Sequence, residues 1–146
     1  MTAVLEHKDN ANGTTLYMAL ELSDKKWKLG FSNGEKNRQT TMAAGDWPRL
    51  HEQMDLAKQK LRLASDCRIV SCYEAGRDGF WIHRDLEAEG IENVVVDSAS
   101  IEVNRRRRRA KTDRIDVQGL LRLLKRYCQG DGGALSVVRV PTLEQE

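Results

Sequence analysis

The stretch "LYMALELSDKKWKLGFSNGE", Leu16 to Glu35, decides the architecture. Leu16 to Leu22 is an almost wholly apolar run, short and bounded by a polar turn, which predicts a buried strand. "SDKK" reads as that turn. "WKLGFS" follows with Trp27, Leu29 and Phe31 at alternate positions, the period of a second strand. Asn33, Gly34 and Glu35 supply a hairpin-type turn, and "KNRQTTMAA" continues as a third, more polar strand. The chain therefore opens with a three-stranded meander.

Outward from it, strands alternate with helices. Asp46 is placed as an N-cap, with Pro48 tolerated in the first turn. Trp47, Leu50, Met54, Ala57, Leu61 and Ala64 recur at helical spacing and form the clearest amphipathic stripe in the chain. "RIVSCYE", Arg68 to Glu74, predicts a fourth strand. "AGRDG" then turns into a helix from Phe80 to Glu89, ended by Gly90. "NVVVD", Asn93 to Asp97, predicts a fifth strand. A last helix is expected from Thr112 to Tyr127, with Ile115, Leu120, Leu123, Leu124 and Tyr127 on its apolar side, and "LSVVRVP" is a strand-like tail. The order β-β-β-α-β-α-β-α predicts an α/β fold: a mixed five-stranded sheet flanked by helices. It resembles the pattern of the ribonuclease H-like fold.

With 146 residues, 40% hydrophobic and 32% charged, the chain suffices for one domain with a genuine core. Its net charge of +2 does not by itself argue for a nucleic-acid partner. Cys67, Cys72 and Cys128 are odd in number and form no CxxC pair, so they read as reduced thiols rather than a disulfide framework or zinc site. The polar start of the chain has no secretory apolar segment, and no apolar run approaches the roughly 18 residues of a membrane span. The expected location is the cytoplasm of a prokaryote, away from membranes.

The charge is local. Arg105, Arg106, Arg107, Arg108, Arg109, Lys111 and Arg114 set seven basic residues against two acidic ones between Arg105 and Asp116. Those two acids, Asp113 and Asp116, stand three apart at the expected start of the last helix, so they are predicted to share a face. Glu21 lies on the first strand and Glu74 ends the fourth. If those strands are neighbours and the last helix packs beside them, the four acids converge. Clustered carboxylates repel one another, and hard divalent cations relieve that repulsion. Two such ions can stabilise both oxygens of a phosphodiester displacement. Taken singly, each signal has an ordinary explanation. Strand glutamates usually face solvent, acids suit a helix N-terminus, and arginine runs are usually solvated. Asp24 and Asp97, at strand ends, are rival acids. His7, His51 and His83 lack ligand spacing.

The segments "ALELSDKKWKLGF", "YEAGRDGFWIHRDLEAEGI", "VVVDSASIEVNRRRRRAKTDRIDVQGLLRLL" and "VVRVPTLEQE" resemble the N-terminal half of insertion-sequence 110 family transposases, the DEDD transposases with a RuvC-like domain. "AKTDRIDVQGL" is the most specific match. The polar residues 1–15, with Asn, Gly and Thr, read as a flexible segment, and the resemblance implies a RuvC-like DEDD domain at 16–128 and a tail at 129–146 leading toward a second domain that bears a nucleophilic serine. It implies that Glu21, Glu74, Asp113 and Asp116 form a catalytic tetrad holding Mg²⁺ or Mn²⁺. Glu21 stands where the family pattern has Asp, and Val117 where it has Ala. It further implies DNA as substrate, a structured bridge RNA as guide, and a homo-oligomer. The fragment alone is expected not to recombine DNA.

Two other classes compete. A stand-alone junction-resolving or ribonuclease H-type nuclease needs the same tetrad and no second domain. A non-catalytic RNA- or DNA-binding module needs only the arginines. An ATPase of similar topology is excluded because "SDKK" offers no glycine for close backbone approach to phosphate.

Overall fold

A computed structural model describes residues 14–76, 80–97 and 115–142. The elements are β1 (Thr15–Glu21), β2 (Lys26–Ser32), β3 (Asn37–Ala43), α1 (Trp47–Lys60), β4 (Arg68–Glu74), α2 (Trp81–Ala88), β5 (Glu92–Val96) and α3 (Val117–Cys128). This is the element order expected from the sequence. The strands form one sheet in the order β3-β2-β1-β4-β5. β1, β2 and β3 pair antiparallel, whereas β4 and β5 join β1 in parallel. The sheet is therefore mixed, with β1 at its centre.

Burial follows from that order. β1 is covered on both faces from Thr15 to Leu20, as its continuous apolar run requires. β3 is an edge strand, and its polar residues alternate outward. The opposite edge, β5, meets the tail: Val137 bridges Val96, and Val138 N–H donates to the Val95 carbonyl at 2.8 Å. Two apolar cores lie on the two sheet faces. Leu16, Met18, Leu20 and Tyr73 pack with Leu50 and Met54 of α1 and Ile82 and Leu86 of α2. Tyr17, Ala19, Val70, Cys72 and Val96 pack with Leu120, Leu121 and Leu124 of α3. Alternate residues of one strand thus serve opposite layers.

Asp46 caps α1, accepting from Arg49 N–H, as expected. Gly90 follows α2 with φ +84°, a conformation that suits glycine. His83 belongs to a polar network: Asn93 Nδ2 lies 2.9 Å from His83 Nδ1, and Ser71 Oγ donates to Asn93 Oδ1 at 2.7 Å. The three tryptophans meet in one cluster, with ring centroids 6.2–6.4 Å apart. Among the described residues, no helix is long and apolar enough to cross a membrane.

The last helix differs from expectation. Ile115 and Asp116 are not helical, and α3 begins at Val117. Asp116 is its N-cap, with extended backbone at φ −71° and ψ 169°. Its side chain competes for the amide of Gly119, and that bond ends the helix on the N-terminal side. Asp116 is therefore a cap rather than a residue of the helix, and the expected shared face with Asp113 falls on a residue outside the described ones. Asp113, Arg105, Arg106, Arg107, Arg108, Arg109, Lys111 and Arg114 lie outside the described residues, as do residues 1–13 of the expected flexible segment.

Candidate acidic site

The β1–β4 register places Ala19 opposite Cys72 and Leu20 opposite Tyr73. Glu21 and Glu74 are the next residues on these two parallel strands. Strand alternation puts Glu21 with Tyr17 and Ala19, and Glu74 with Val70 and Cys72, so both project toward α3. They also stand where the chain reverses its direction of winding, because β1 leads to β2 on one side and β4 to β5 on the other. Carboxyl ends of strands at such a switch point are where open α/β sheets bind ligands.

Both carboxylates turn to the start of α3. Glu21 Oε1 accepts from Val117 N–H at 2.9 Å, and Glu74 Oε1 accepts from Ile115 N–H at a long 3.4 Å. Asp116, between them in sequence, accepts from Gly119 N–H through Oδ1 at 2.7 Å. The first amides of a helix lack intrahelical acceptors and carry its positive partial charge. Three acids therefore meet at one helix N-terminus, and each engages one of its two oxygens with a backbone amide. Glu21 and Glu74 are half-buried, while Asp116 is exposed.

Two glycines permit this approach. A Cβ on Gly30 of β2 would lie 3.0 Å from Val117 Cγ2 and 3.5 Å from Leu121 Cδ2. A Cβ on Gly119 would lie 2.9 Å from Ile115 Cγ2 and 3.2 Å from Asp116 Oδ1. Neither glycine was singled out from the sequence, although a glycine inside a helix or strand costs stability and so signals close packing.

The structure thus brings together three of the four expected acids. Asp24 lies outside the strands in the β1–β2 turn, and Asp97 donates its N–H to Ser136 O at 2.9 Å. The donors at the site are all carboxylate oxygens, a chemistry that fits Mg²⁺ or Mn²⁺. Among the described residues, no group of three or more His, Cys, Asp or Glu side chains is arranged to hold a metal ion. The three described acids are gathered by amides rather than around a common point, and Asp113 is outside the described residues.

The chain is 44% identical over 136 residues to a Sinorhizobium fredii protein named "Putative transposase y4rJ". That alignment covers 90% of this chain and 34% of the relative, so the chain spans about a third of the relative's length. No family model matches. Among solved structures, the Thermoplasma acidophilum Pelota protein overlaps 92% of this chain and 38% of its own, at 14% identity and a TM-score of 0.37. An overlap that loose carries no argument about fold or function.

Proposed function

We propose that this chain is the metal-dependent catalytic domain of a DNA transposase, with a ribonuclease H-like, RuvC-like fold of the insertion-sequence 110 type. The observation that carries the reading is the convergence of Glu21 and Glu74, from adjacent parallel strands, on the amides either side of Asp116. The 44% identity to a named transposase supports the class. The sheet order, with an antiparallel meander before two parallel strands, supports the fold.

In this reading Glu21, Glu74, Asp113 and Asp116 hold Mg²⁺ or Mn²⁺. A cation held there would supply Lewis-acid chemistry, polarising a phosphodiester and offsetting charge on its oxygens. The chain's own part is positional. β1 and β4 fix two carboxylates on a rigid sheet, and the cap fixes the third at the helix start. The arginines from Arg105 to Arg109, with Lys111 and Arg114, adjoin Asp113 and Asp116 in sequence and would supply positive charge for a nucleic-acid backbone. DNA as substrate, a structured guide RNA and a homo-oligomer are further parts of the proposal.

Calorimetric titration with Mg²⁺ or Mn²⁺ tests it on the wild type, Asp113→Ala and Asp116→Asn. Asparagine is as good an N-cap as aspartate, so Asp116→Asn removes charge while leaving the helix start intact. Wild-type binding that both substitutions weaken supports the reading. Identical, null titrations overturn it.

One observation favours a second reading. Glu21 and Glu74 already have acceptor roles toward α3, as they would in a non-catalytic nucleic-acid-binding module whose acids only hold the helix. Null metal titrations combined with salt-sensitive nucleic-acid binding would select that module.

A further inference from the structure

We infer that Lys28 is a phosphate-positioning cation of this acidic site, contacting the sugar–phosphate backbone of a nucleic-acid strand laid across the ends of β1 and β4. The inference rests on the proposed nucleic-acid function and adds a residue to it. The β1–β2 register sets Lys28 directly opposite Glu21. Residues so opposed in an antiparallel pair project from the same face, with Cβ atoms about 4.5–5.5 Å apart. Lys28 therefore shares the α3 face with Glu21.

The helix start determines what Lys28 can do there. Two residues along the same face, Gly30 is buried beneath Val117 and Leu121. Lys28 lies two residues further toward the end of the sheet at which β1 stops, and is exposed. The opposed pair has complementary charges and could have closed as an ion pair. Glu21 instead answers the Val117 amide. The ion pairs among the described residues lie elsewhere, at Arg49–Glu52, His51–Glu89, Arg68–Glu92 and Arg126–Asp131. An exposed ammonium is thus left opposite Glu21, at the rim of a cluster of carboxylates whose combined charge would repel a phosphodiester. Lysine suits that place because its point charge follows a phosphate oxygen without demanding a fixed fork geometry. This grip is separate from the arginine run.

The test measures anisotropy of a fluorescent single-stranded DNA oligonucleotide against KCl concentration, with the 146-residue chain and Ca²⁺ present. Lys28→Gln and Lys28→Arg are compared with Lys60→Ala. Lys60 lines a cleft with Asn33 and Arg62 at the other end of β2. Each phosphate contact contributes about 0.7 to the log–log salt slope for single strands. The slope of Lys28→Gln is expected to fall by about that amount, with Lys28→Arg restoring it and Lys60→Ala unchanged. Mg²⁺ binding by Lys28→Gln is expected to be no weaker than that of the wild type, because the substitution removes a positive charge near the carboxylates, and that separates phosphate grip from metal binding. If the wild type shows no salt-dependent binding, the nucleic-acid reading falls and the Lys28 role with it. If the wild type binds and Lys28→Gln keeps its slope, or Lys60→Ala lowers the slope equally, only the Lys28 assignment is overturned.

Discussion

Shortening Glu21 by one methylene should loosen the start of α3. In Glu21→Asp the carboxylate retreats by about one carbon–carbon bond, ~1.5 Å. The 2.9 Å bond to Val117 N–H then stretches past hydrogen-bonding range. A net hydrogen bond to a charged group is worth about 1.5–3 kcal/mol. Glu21 is only half-buried, and water can partly replace it, so about 1 kcal/mol is the expected loss. With about 2.1 cal/mol/K of unfolding entropy per residue, that loss lowers Tm by about 3 °C. Glu21→Gln keeps an acceptor at the same reach and removes one converging negative charge. It should lie within about 1 °C of the wild type, because those changes oppose each other. Far-UV circular dichroism melts give the order, and amide hydrogen exchange at Val117 gives the cause. Protection at Val117 should drop in Glu21→Asp and persist in Glu21→Gln. Unchanged Val117 protection in Glu21→Asp would show that Glu21 does not hold the helix, whatever the melting temperatures do.

Cys72 is buried, and burial raises its thiol pKa, with Cys128 adding to the shift. Burial also raises the half-buried Cys67 and Cys128, each beside a cation that opposes the shift. Alkylation of the native protein followed by mass spectrometry should label Cys67 and Cys128 well before Cys72. Equal rates would mean that the core under α3 opens readily. Arg68 Nε and Nη2 lie 2.5 and 2.8 Å from the Glu92 carboxylate across β4 and β5. That side-chain hydrogen bond lowers the Glu92 pKa against the opposing effect of burial. The folded value lies below the unfolded one, so this stabilisation is present above about pH 4.5 and fades as pH falls through the folded value. The side chains are 37% and 57% exposed, which limits the pair to less than about 1 kcal/mol. Urea midpoints of Glu92→Gln should therefore vary less than those of the wild type between about pH 5 and 3. Parallel profiles would show that the pair contributes nothing.

The element order was legible because each segment keeps one period. β2 alternates Trp27, Leu29 and Phe31, and α1 repeats its apolar residues at helical spacing behind an Asp46 cap. The adjacency of Glu21 and Glu74 followed once β1 and β4 were taken as neighbours. The start of α3 was less legible. Asp113 and Asp116 have helical spacing, yet nothing in that spacing says that Asp116 will spend its carboxylate on the Gly119 amide and end the helix there. Lys28 was equally hidden, since its place beside Glu21 is a matter of register across a turn rather than of local pattern.

The departures from good local design also have an order. Gly119 sits inside a helix, Gly30 inside a strand, and two half-buried carboxylates face a third acid. Each is costly by itself, and these lie together where α3 begins over β1, β2 and β4. Across most of the sheet patterning and packing agree: β1 is apolar on both buried faces, β3 is polar at an edge, and the β5 edge meets the tail. Natural chains tend to break local rules at functional positions. A helix needed only to cover the sheet could be docked by leucines, as Leu120, Leu121 and Leu124 already do. The carboxylates add a smaller, polar part to that docking, about 1 kcal/mol at Glu21, and the glycines that let Val117 settle against β2 bring the helix start, Asp116 included, within reach of them. Bringing acids together is what distinguishes this end of the sheet, so under the proposed function substitutions at Glu21, Glu74 and Asp116 should change metal and nucleic-acid binding by more than they change stability.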